Sequence, residues 1–189
     1  MKSTLPDHSQ PTVDHVWRIS VDRYHHLIDT GAFTEQDDVE LLDGLVVNKM
    51  PRGPLHDAII AHLMRLLVAI YADHPLHVRG QSAITLDTSE PEPDLAIVRG
   101  TPADYTDRHP GPADTLLVIE VAHSSLTFDR ETKAPLYAAA GIPEYWILNL
   151  PEQQLERHQT PRATPAGRVE YTVIEKVRAP NSLSLPETK

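Results

Sequence analysis

The sequence predicts a mixed α+β (α/β) fold in which one mixed β-sheet is flanked by helices on both sides. Apolar, β-branched runs of the kind found in strands covered on both faces recur through the second half of the chain. A long segment with apolar residues at helical spacing precedes them, and shorter helical segments lie on either side. One domain over residues 15–178 is expected, because 189 residues can enclose a single core.

The first half of the chain predicts a helix, a hairpin and a longer helix after a polar tail. The tail, helix, hairpin and long helix are expected over residues 1–14, 21–29, 39–50 and 55–70. Ser20 is a typical N-cap, and Gly31 follows the first helix as a stop. Asp43 and Gly44 stand between two apolar runs, which is a strong hairpin signal. The tail is expected to be disordered because it is polar and contains prolines.

The second half predicts a series of strands interrupted by one helix. Strands are expected over residues 76–79, 83–86, 94–98, 115–121, 145–150, 155–158 and 169–173. A proline-rich loop over residues 101–112 precedes the most apolar of these strands. The helix is expected over residues 129–140 and ends at Gly141. Residues 179–189 are expected to form a loose tail.

The composition excludes several classes of protein. Cysteine is absent, which excludes disulfides, thiolate catalysis and cysteine-based zinc sites. No apolar run approaches the roughly 20 residues that span a bilayer, and the first residues lack the apolar core of a signal peptide. A cytoplasmic protein is therefore expected.

The net charge of −10 argues against a large non-specific surface for nucleic acid, because phosphate contacts need clustered lysine and arginine. A small cleft is still compatible with this charge. In such a cleft a bound metal ion and local arginines reverse the field.

Two carboxylates on otherwise apolar strands are the main functional signal. Asp94 opens the run Pro93–Val98, and Glu120 lies near the end of the run Leu116–Val121, where it is expected to share a face with Val118 and Leu116. A carboxylate in such a place loses hydration and needs a charged partner or a metal ion. Hard cations such as Mg²⁺ and Mn²⁺ prefer these oxygen ligands. The alternative for each is an ion pair or a strand-end cap.

Several further residues are candidates for the same site, each with a simpler alternative. Glu40 could add a third carboxylate or be a solvated residue of an edge strand. Asp129 and Lys133, four apart on the predicted helix, share one face and could instead form a surface ion pair. Lys49 competes with Lys133 as the cation of the site. His56 follows a proline-glycine turn at a helix start, where it could also be solvated.

Two other chemistries have little support. The eleven histidines do not form a zinc pattern, since His56 and His62 are six apart and not at the i, i+4 spacing of a helical pair. No Gly-x-Ser-x-Gly motif surrounds Ser124 and Ser125, which argues against serine hydrolysis.

These residues together resemble the Pro-Asp…(Asp/Glu)-x-Lys, or PD-(D/E)XK, phosphodiesterase superfamily, and within it a bacterial family described as putative restriction endonucleases. The resemblance covers roughly residues 20 to 175. It is specific because its marks follow one another in the order of the family. Its marks are Glu40–Gly44, His56, Pro93-Asp94, Val118–Val121, Asp129–Lys133, Tyr137 and Gly141–Leu148.

The resemblance implies a restriction endonuclease-like core and Mg²⁺- or Mn²⁺-dependent hydrolysis of DNA. Asp94 and Glu120 would be the metal-binding carboxylates, Glu40 the extra acidic residue of such folds, and Asp129 a residue that positions the lysine. The superfamily lysine is missing, since Ala122 occupies the position two residues after Glu120. In the closer family the following helix supplies this lysine, which here is Lys133.

Two functions therefore compete at the level of sequence. The first is an active metal-dependent endodeoxyribonuclease, for which a homodimer is expected if both DNA strands are cut. The second is a catalytically reduced module on the nuclease fold that binds or regulates a partner. Ala122 and the acidic charge favour the second function, and the retained Asp94, Glu120 and Lys133 favour the first.

Overall fold

A six-stranded mixed sheet with helices on both faces forms the centre of the structure, a computed structural model that describes residues 16–34 and 36–178. The predicted mixed α+β class is confirmed. The tails predicted at residues 1–14 and 179–189 lie outside the described residues. None of the helices in the described ranges is long and apolar enough to cross a membrane.

The elements follow the predicted order. The helices are α1 Val21–Asp29, α2 Pro54–Ile70, α3 Leu126–Phe128 and α4 Ala134–Ala139. The strands are β1 Val39–Leu42, β2 Leu45–Asn48, β3 Leu76–Gly80, β4 Leu95–Arg99, β5 Thr115–Ala122, β6 Glu144–Asn149, β7 Gln154–Ala163 and β8 Val169–Arg178. A π-helical turn, Asp129–Lys133, joins α3 to α4, and a 3₁₀ helix, Pro102–Tyr105, lies in the predicted proline-rich loop.

The strands of the main sheet lie side by side in chain order, β3 to β8. Only β5 and β6 are parallel, and every other neighbouring pair is antiparallel. The parallel pair requires a crossover, and the helical segment from α3 to α4 supplies it. The segment that carries Asp129 and Lys133 therefore lies over the strand that carries Glu120.

The hairpin of β1 and β2 forms a separate two-stranded sheet next to the main one. Its turn residues Asp43 and Gly44 both have positive φ angles, of 47° and 75°, as a two-residue hairpin turn requires. A Cβ atom on Gly44 would lie 2.7 Å from the Cβ of Arg18, so close packing also favours glycine there. A bridge between Leu41 and Glu90 holds the hairpin against the rest of the domain.

Alternation along the central strands divides the core into two layers. Leu95 and Ile97 of β4 pack in a cluster with α2, whereas Ala96 and Val98 pack in a cluster with α4. Both layers are apolar, which explains why the central strands appear in the sequence as continuous apolar runs. Glu120 is the carboxylate that β5 places in the α4 layer, among apolar neighbours.

The prediction of a strand over residues 83–86 is wrong. Ala83 and Ile84 are buried, but the segment forms no strand. The Ile84 and Thr85 N–H groups donate to the carbonyls of Pro91 and Pro110. A proline has no N–H group and cannot donate in return, so no ladder forms. The segment is extended and buried but belongs to no sheet.

The last two strands are longer than predicted: β7 continues into the predicted turn, and β8 begins at Val169 as predicted but continues to Arg178. The structure pairs Pro161 with Tyr171 and Ala163 with Val169, beyond the predicted limit of His158. Pro161 is tolerated on such a strand when its missing N–H is not needed by the ladder.

A buried carboxylate on β7 fastens the π-helical turn to the sheet. Glu156 is 1% exposed and accepts hydrogen bonds from the Nε and guanidinium NH₂ of Arg130 and from the side-chain amides of Asn149 and Gln154. Burial raises the pKa of Glu156, but Arg130, together with Asn149 and the charge of Lys176, outweighs burial and lowers the pKa to about 2. The ionised carboxylate is therefore the form that the fold stabilises.

We expect Glu156→Gln to lower the free energy of unfolding by about 2 kcal/mol near neutral pH. The folded pKa lies below the unfolded one, so the contribution of the wild-type carboxylate is complete above the unfolded pKa and declines as the pH falls towards 2. Urea unfolding of both proteins across this range would measure the difference. Glu175→Gln is the control: this carboxylate on β8 is about half exposed, pairs with Arg157 of β7, and its loss should cost under about 1 kcal/mol. A difference that stays constant with pH would contradict the assignment.

Candidate active site

The register of β4 and β5 brings the two strand-borne carboxylates together. Asp94 directly precedes β4, and because Leu95 pairs with Ile119 its backbone lies beside Glu120. The Asp94 N–H donates to Glu120 Oε2 at 3.4 Å. In return, Asp94 Oδ2 accepts a hydrogen bond from the N–H of Val121 at 2.8 Å. Both carboxylates are buried, Asp94 at 8% and Glu120 at 5% exposed.

Lys133 reaches this pair from the helical segment. Its Nζ donates to Glu120 Oε1 at 2.9 Å and lies 3.5 Å from Glu40 Oε1. Glu40 is 3% exposed, so it lies inside the domain and is not a solvated edge residue. Its second oxygen accepts a hydrogen bond from the Glu92 N–H at 3.0 Å. One amine thus bridges carboxylates from β1 and β5.

The helical segment differs from the regular helix predicted over residues 129–140. It begins earlier, at Leu126, and in its π-helical turn the Ala134 N–H donates to the Asp129 carbonyl five residues back. Pro135 follows directly, and a proline at this position disturbs the regular α-helical pattern. The π turn leaves both Asp129 and Lys133 buried, at 2% and 7% exposed. Such turns often occur at functional sites.

Asp129 lies in the same cavity but has a different partner from the one its spacing predicts. Its Oδ2 accepts a hydrogen bond from Ser125 Oγ at 2.7 Å. The ion pairs among the described residues do not include one between Asp129 and Lys133. The geometry therefore connects Asp129 to the start of α3, and any effect on Lys133 acts through the local charge.

A bulge in β5 alters the predicted face of one neighbour of Glu120. Val118 lies in the α4 layer with Glu120, as expected, but Leu116 packs in the α2 layer. The pairing slips between Ile97 and Val98, so Thr115 pairs with Val98 and Leu116 is the extra residue. The site itself is on the regular side of this bulge.

Ala122 is fully buried in the α4 layer, two residues after Glu120 on the same strand face. A lysine side chain at this position would have to enter the packed core. Lys133 instead brings its amine to the Glu120 carboxylate from the crossing helical segment. The structure thus contains a lysine beside the second carboxylate despite the departure at Ala122.

Burial and charge act strongly on the titratable groups of the site. Burial raises the pKa of Glu120 most. The charge of Lys133 lowers this pKa and the charge of Asp94 raises it, and the resulting pKa is about 8. Burial also raises the pKa of Asp129, against the hydrogen bond from Ser125. Burial lowers the pKa of Lys133, but the carboxylates of Glu120 and Glu40 raise it more, so the amine stays charged. The cluster thus has more acidic groups than one lysine neutralises.

His56 and Lys49 lie at the edge of the cluster. His56 Nε2 lies 3.0 Å from Asp94 Oδ2, and its side chain is 12% exposed, so the solvated alternative does not describe it. Lys49 lines the cavity, but its amine lies 2.7 Å from Glu92 and 3.7 Å from Asp38. Of the two candidate lysines, only Lys133 contacts Glu120.

Two contributors to the site were not predicted as such from the sequence. The Tyr137 hydroxyl donates to Glu120 Oε1 at 3.4 Å. Tyr137 lies four residues after Lys133, on the same side of the helical segment, and this spacing could have indicated its place in the site. Glu92, which lies between two prolines just before Asp94, contacts Glu40 through its N–H and Lys49 through its carboxylate.

Apart from Tyr137, the polar groups of the site line one cavity of about 320 Å³. Its floor is formed by Glu40, Asp94, Glu120, Asp129 and Lys133. Its mouth is formed by residues 49–55, by His123, Ser124 and Ser125, and by Phe128. A cavity of this size accommodates a small molecule or one segment of a polymer.

The donor set fits a hard divalent cation. Among the described residues no three histidine or acidic side chains form a ready-made metal cage. Mg²⁺, however, typically uses only one or two protein carboxylates and keeps several waters. Asp94, Glu120 and the Val121 carbonyl can supply such a set, and the excess of buried acidic groups favours a cation.

Comparisons with known proteins agree with this fold. A family model described as "Uma2: Putative restriction endonuclease" matches residues 21–188. The chain also resembles the crystal structure of a putative nuclease belonging to DUF820 from Anabaena variabilis ATCC 29413, with a TM-score of 0.65 and 15% identity over 89% of each chain. At this identity the likeness concerns the fold. No curated protein matches the chain.

Proposed function

Because the chain belongs to the Uma2 family of putative restriction endonucleases, we propose that it is a metal-dependent nuclease that hydrolyses phosphodiester bonds of DNA. The observation that carries the proposal is the convergence of Asp94, Glu120 and Lys133 on one cavity, with the lysine amine 2.9 Å from Glu120. The proposed location is the bacterial cytoplasm, where DNA is accessible.

The two strand-borne carboxylates have the metal-binding role in this proposal. Asp94 and Glu120, with the Val121 carbonyl, would hold Mg²⁺ or Mn²⁺. A bound ion of this kind supplies a Lewis acid that activates water and offsets the charge of the phosphate. His56 and the Val121 N–H both contact Oδ2 of Asp94 and hold its carboxylate in place.

Lys133 is the proposed catalytic cation. Its amine is fixed between Glu120 and Glu40, so its positive charge is already in place before a phosphate arrives. A positioned charge of this kind stabilises the negative charge that develops on the phosphate oxygens. Glu40 is a positioning residue here, since its Oε1 lies 3.5 Å from the lysine amine that also contacts Glu120.

The competing function, a binding or regulatory module without catalysis, rested on Ala122 and on the acidic composition. The contact between Lys133 and Glu120 argues against the first point, because it supports a proposal in which the helical segment supplies the lysine that β5 lacks. The net charge of −10 remains as an argument against wide DNA contacts, and it bears on which form of DNA the site accepts.

Incubation of the purified protein with supercoiled plasmid should yield nicked product in Mn²⁺ or Mg²⁺ and none in EDTA. The reason is that a cation held by the carboxylates of the site would activate the attacking water and offset the charge of the phosphate. Gel electrophoresis separates nicked from linear plasmid, and linear product would favour the homodimer expected for cutting both strands. Absence of cleavage in every metal, with a folded protein, would favour the binding module.

A further inference from the structure

We propose that the strand to be cut enters this site as single-stranded DNA, with one of its bases stacked on Phe128 next to the scissile phosphate. The inference rests on the proposed nuclease function and names the form of its substrate. Three features carry it: the depth of the site, the position of Phe128 between two cavities, and the scarcity of free cations at the mouth.

The reactive groups lie deep inside the domain. Glu40, Asp94, Glu120 and Lys133 are all between 3% and 8% exposed. The loop of residues 49–55 and the segment 123–125 form the mouth above them. A scissile phosphate must pass this mouth to come near the two metal-binding carboxylates.

An intact double helix is poorly suited to such a recess. Duplex DNA is stiff, with a persistence length of about 50 nm, and sharp local deformation costs energy. Its phosphates also follow one another on a broad convex surface. A single strand has flexible torsions and can direct one phosphate into the cavity while neighbouring nucleotides stay outside.

Phe128 occupies the boundary between the active-site cavity and a second, larger one of about 790 Å³. Among the residues that the structure describes, it is the one side chain that lines both cavities. It is half-buried and belongs to none of the apolar clusters of the core. An aromatic ring in this position has no evident packing role and offers a stacking surface for a base.

The second cavity has the mixed lining that a nucleobase needs. Leu42, Leu45, Val47 and Leu136 supply apolar surface, and Thr88 and Ser89 supply hydroxyl groups. Because Phe128 lines both cavities, the second cavity is where a nucleotide next to the scissile phosphate would place its base. A base there and a phosphate in the first cavity belong to one continuous strand.

The charges at the mouth are few. Lys49 is paired with Glu92, whereas Arg52 is exposed and forms no ion pair within the described residues. A protein with a net charge of −10 and so few free cations cannot neutralise the many phosphates of a duplex footprint. Base stacking supplies affinity without cations, as in proteins that bind single strands.

Binding measured without metal tests the inference separately from catalysis. Fluorescence anisotropy in EDTA, with a labelled oligonucleotide alone or annealed to its complement, should show at least tenfold tighter binding of the single strand. Phe128→Leu should weaken single-strand binding about tenfold, because one stacking contact is lost. Phe128→Trp should retain it. Phe33→Leu is the matched control, because Phe33 is the other phenylalanine of the chain, lines neither cavity and packs against Tyr24.

Cleavage in Mn²⁺ gives the second readout. Single-stranded oligonucleotide should be cut faster than the duplex, and supercoiled plasmid faster than relaxed plasmid, because negative supercoiling favours strand opening. Equal or tighter binding of the duplex, or unchanged binding by Phe128→Leu, would overturn the inference. If the duplex were still cut in that case, the proposed nuclease function would remain supported. If neither substrate is cut, the nuclease function fails, while binding that depends on Phe128 still supports the single-strand site.

Discussion

Replacement of Asp94 by asparagine is expected to reduce metal-dependent cleavage of DNA by roughly a thousandfold or more while the fold persists. The substitution removes the negative charge that attracts the cation. It preserves the shape of the side chain and an oxygen that can accept the hydrogen bond from the Val121 N–H, which is 2.8 Å long in the wild-type protein. Cleavage rates at saturating Mn²⁺, together with thermal unfolding in EDTA, measure both halves of the prediction.

Two further variants show whether the loss is specific to the carboxylate. Asp104→Asn alters an exposed carboxylate that caps the 3₁₀ helix and should cut at the wild-type rate. His56→Ala keeps the carboxylate but removes its neighbour 3.0 Å away, and should lose roughly 10- to 100-fold. An Asp94→Asn protein that cuts like wild type would exclude Asp94 from the active site and with it the proposed metal site.

The central carboxylates could be found from the sequence because their surroundings are unusual for charged residues. Asp94 and Glu120 stand in apolar strand runs, where a charge without a partner is costly. Local sequence also determined the hairpin at Asp43 and Gly44, where few residues other than glycine accept the required φ angle. These features depend on neighbours in the chain, which a sequence displays directly.

Features that depend on distant partners were harder to predict. The extended segment around Ile84 has the composition of a strand, but its neighbours in space contribute prolines, which no local pattern at Ile84 reveals. The contact of Lys133 with Glu40 requires the hairpin, the sheet and the helical segment to be assembled first. Pro135 did provide a local signal of an irregular helix just after Lys133.

Lys133→Met is expected to have two large effects, on stability and on cleavage. The methionine fills most of the space of the lysine but leaves the buried carboxylates of Glu120 and Glu40 without their common cation. Breaking a buried ion pair from one side typically costs about 3–5 kcal/mol of unfolding free energy. Cleavage should fall by roughly a hundredfold or more, as for the loss of one positioned group that stabilises transition-state charge.

The stability loss should depend on pH with a definite sign. Burial already raises the pKa of Glu120, and removal of Lys133 takes away the largest influence that lowers it. A carboxyl whose folded pKa exceeds the unfolded one contributes its stability fully below the unfolded pKa and loses it as the pH rises through the folded value. Both folded proteins hold this proton well below the wild-type pKa of about 8, so chemical unfolding should show the smaller penalty for Lys133→Met near pH 5 and the larger one near pH 9, above that value.

Lys49→Met is the matched control, because Lys49 lines the same cavity and is the competing candidate for the catalytic cation. Its amine pairs with Glu92 and Asp38, which are partly exposed, so its loss should cost under about 1 kcal/mol. Its effect on cleavage should also be small. If Lys49→Met abolishes cleavage and Lys133→Met does not, the cation of the site comes from β2's end and the buried lysine has a structural role alone. Equal penalties at both pH values would show that Glu120 does not sense the amine 2.9 Å away.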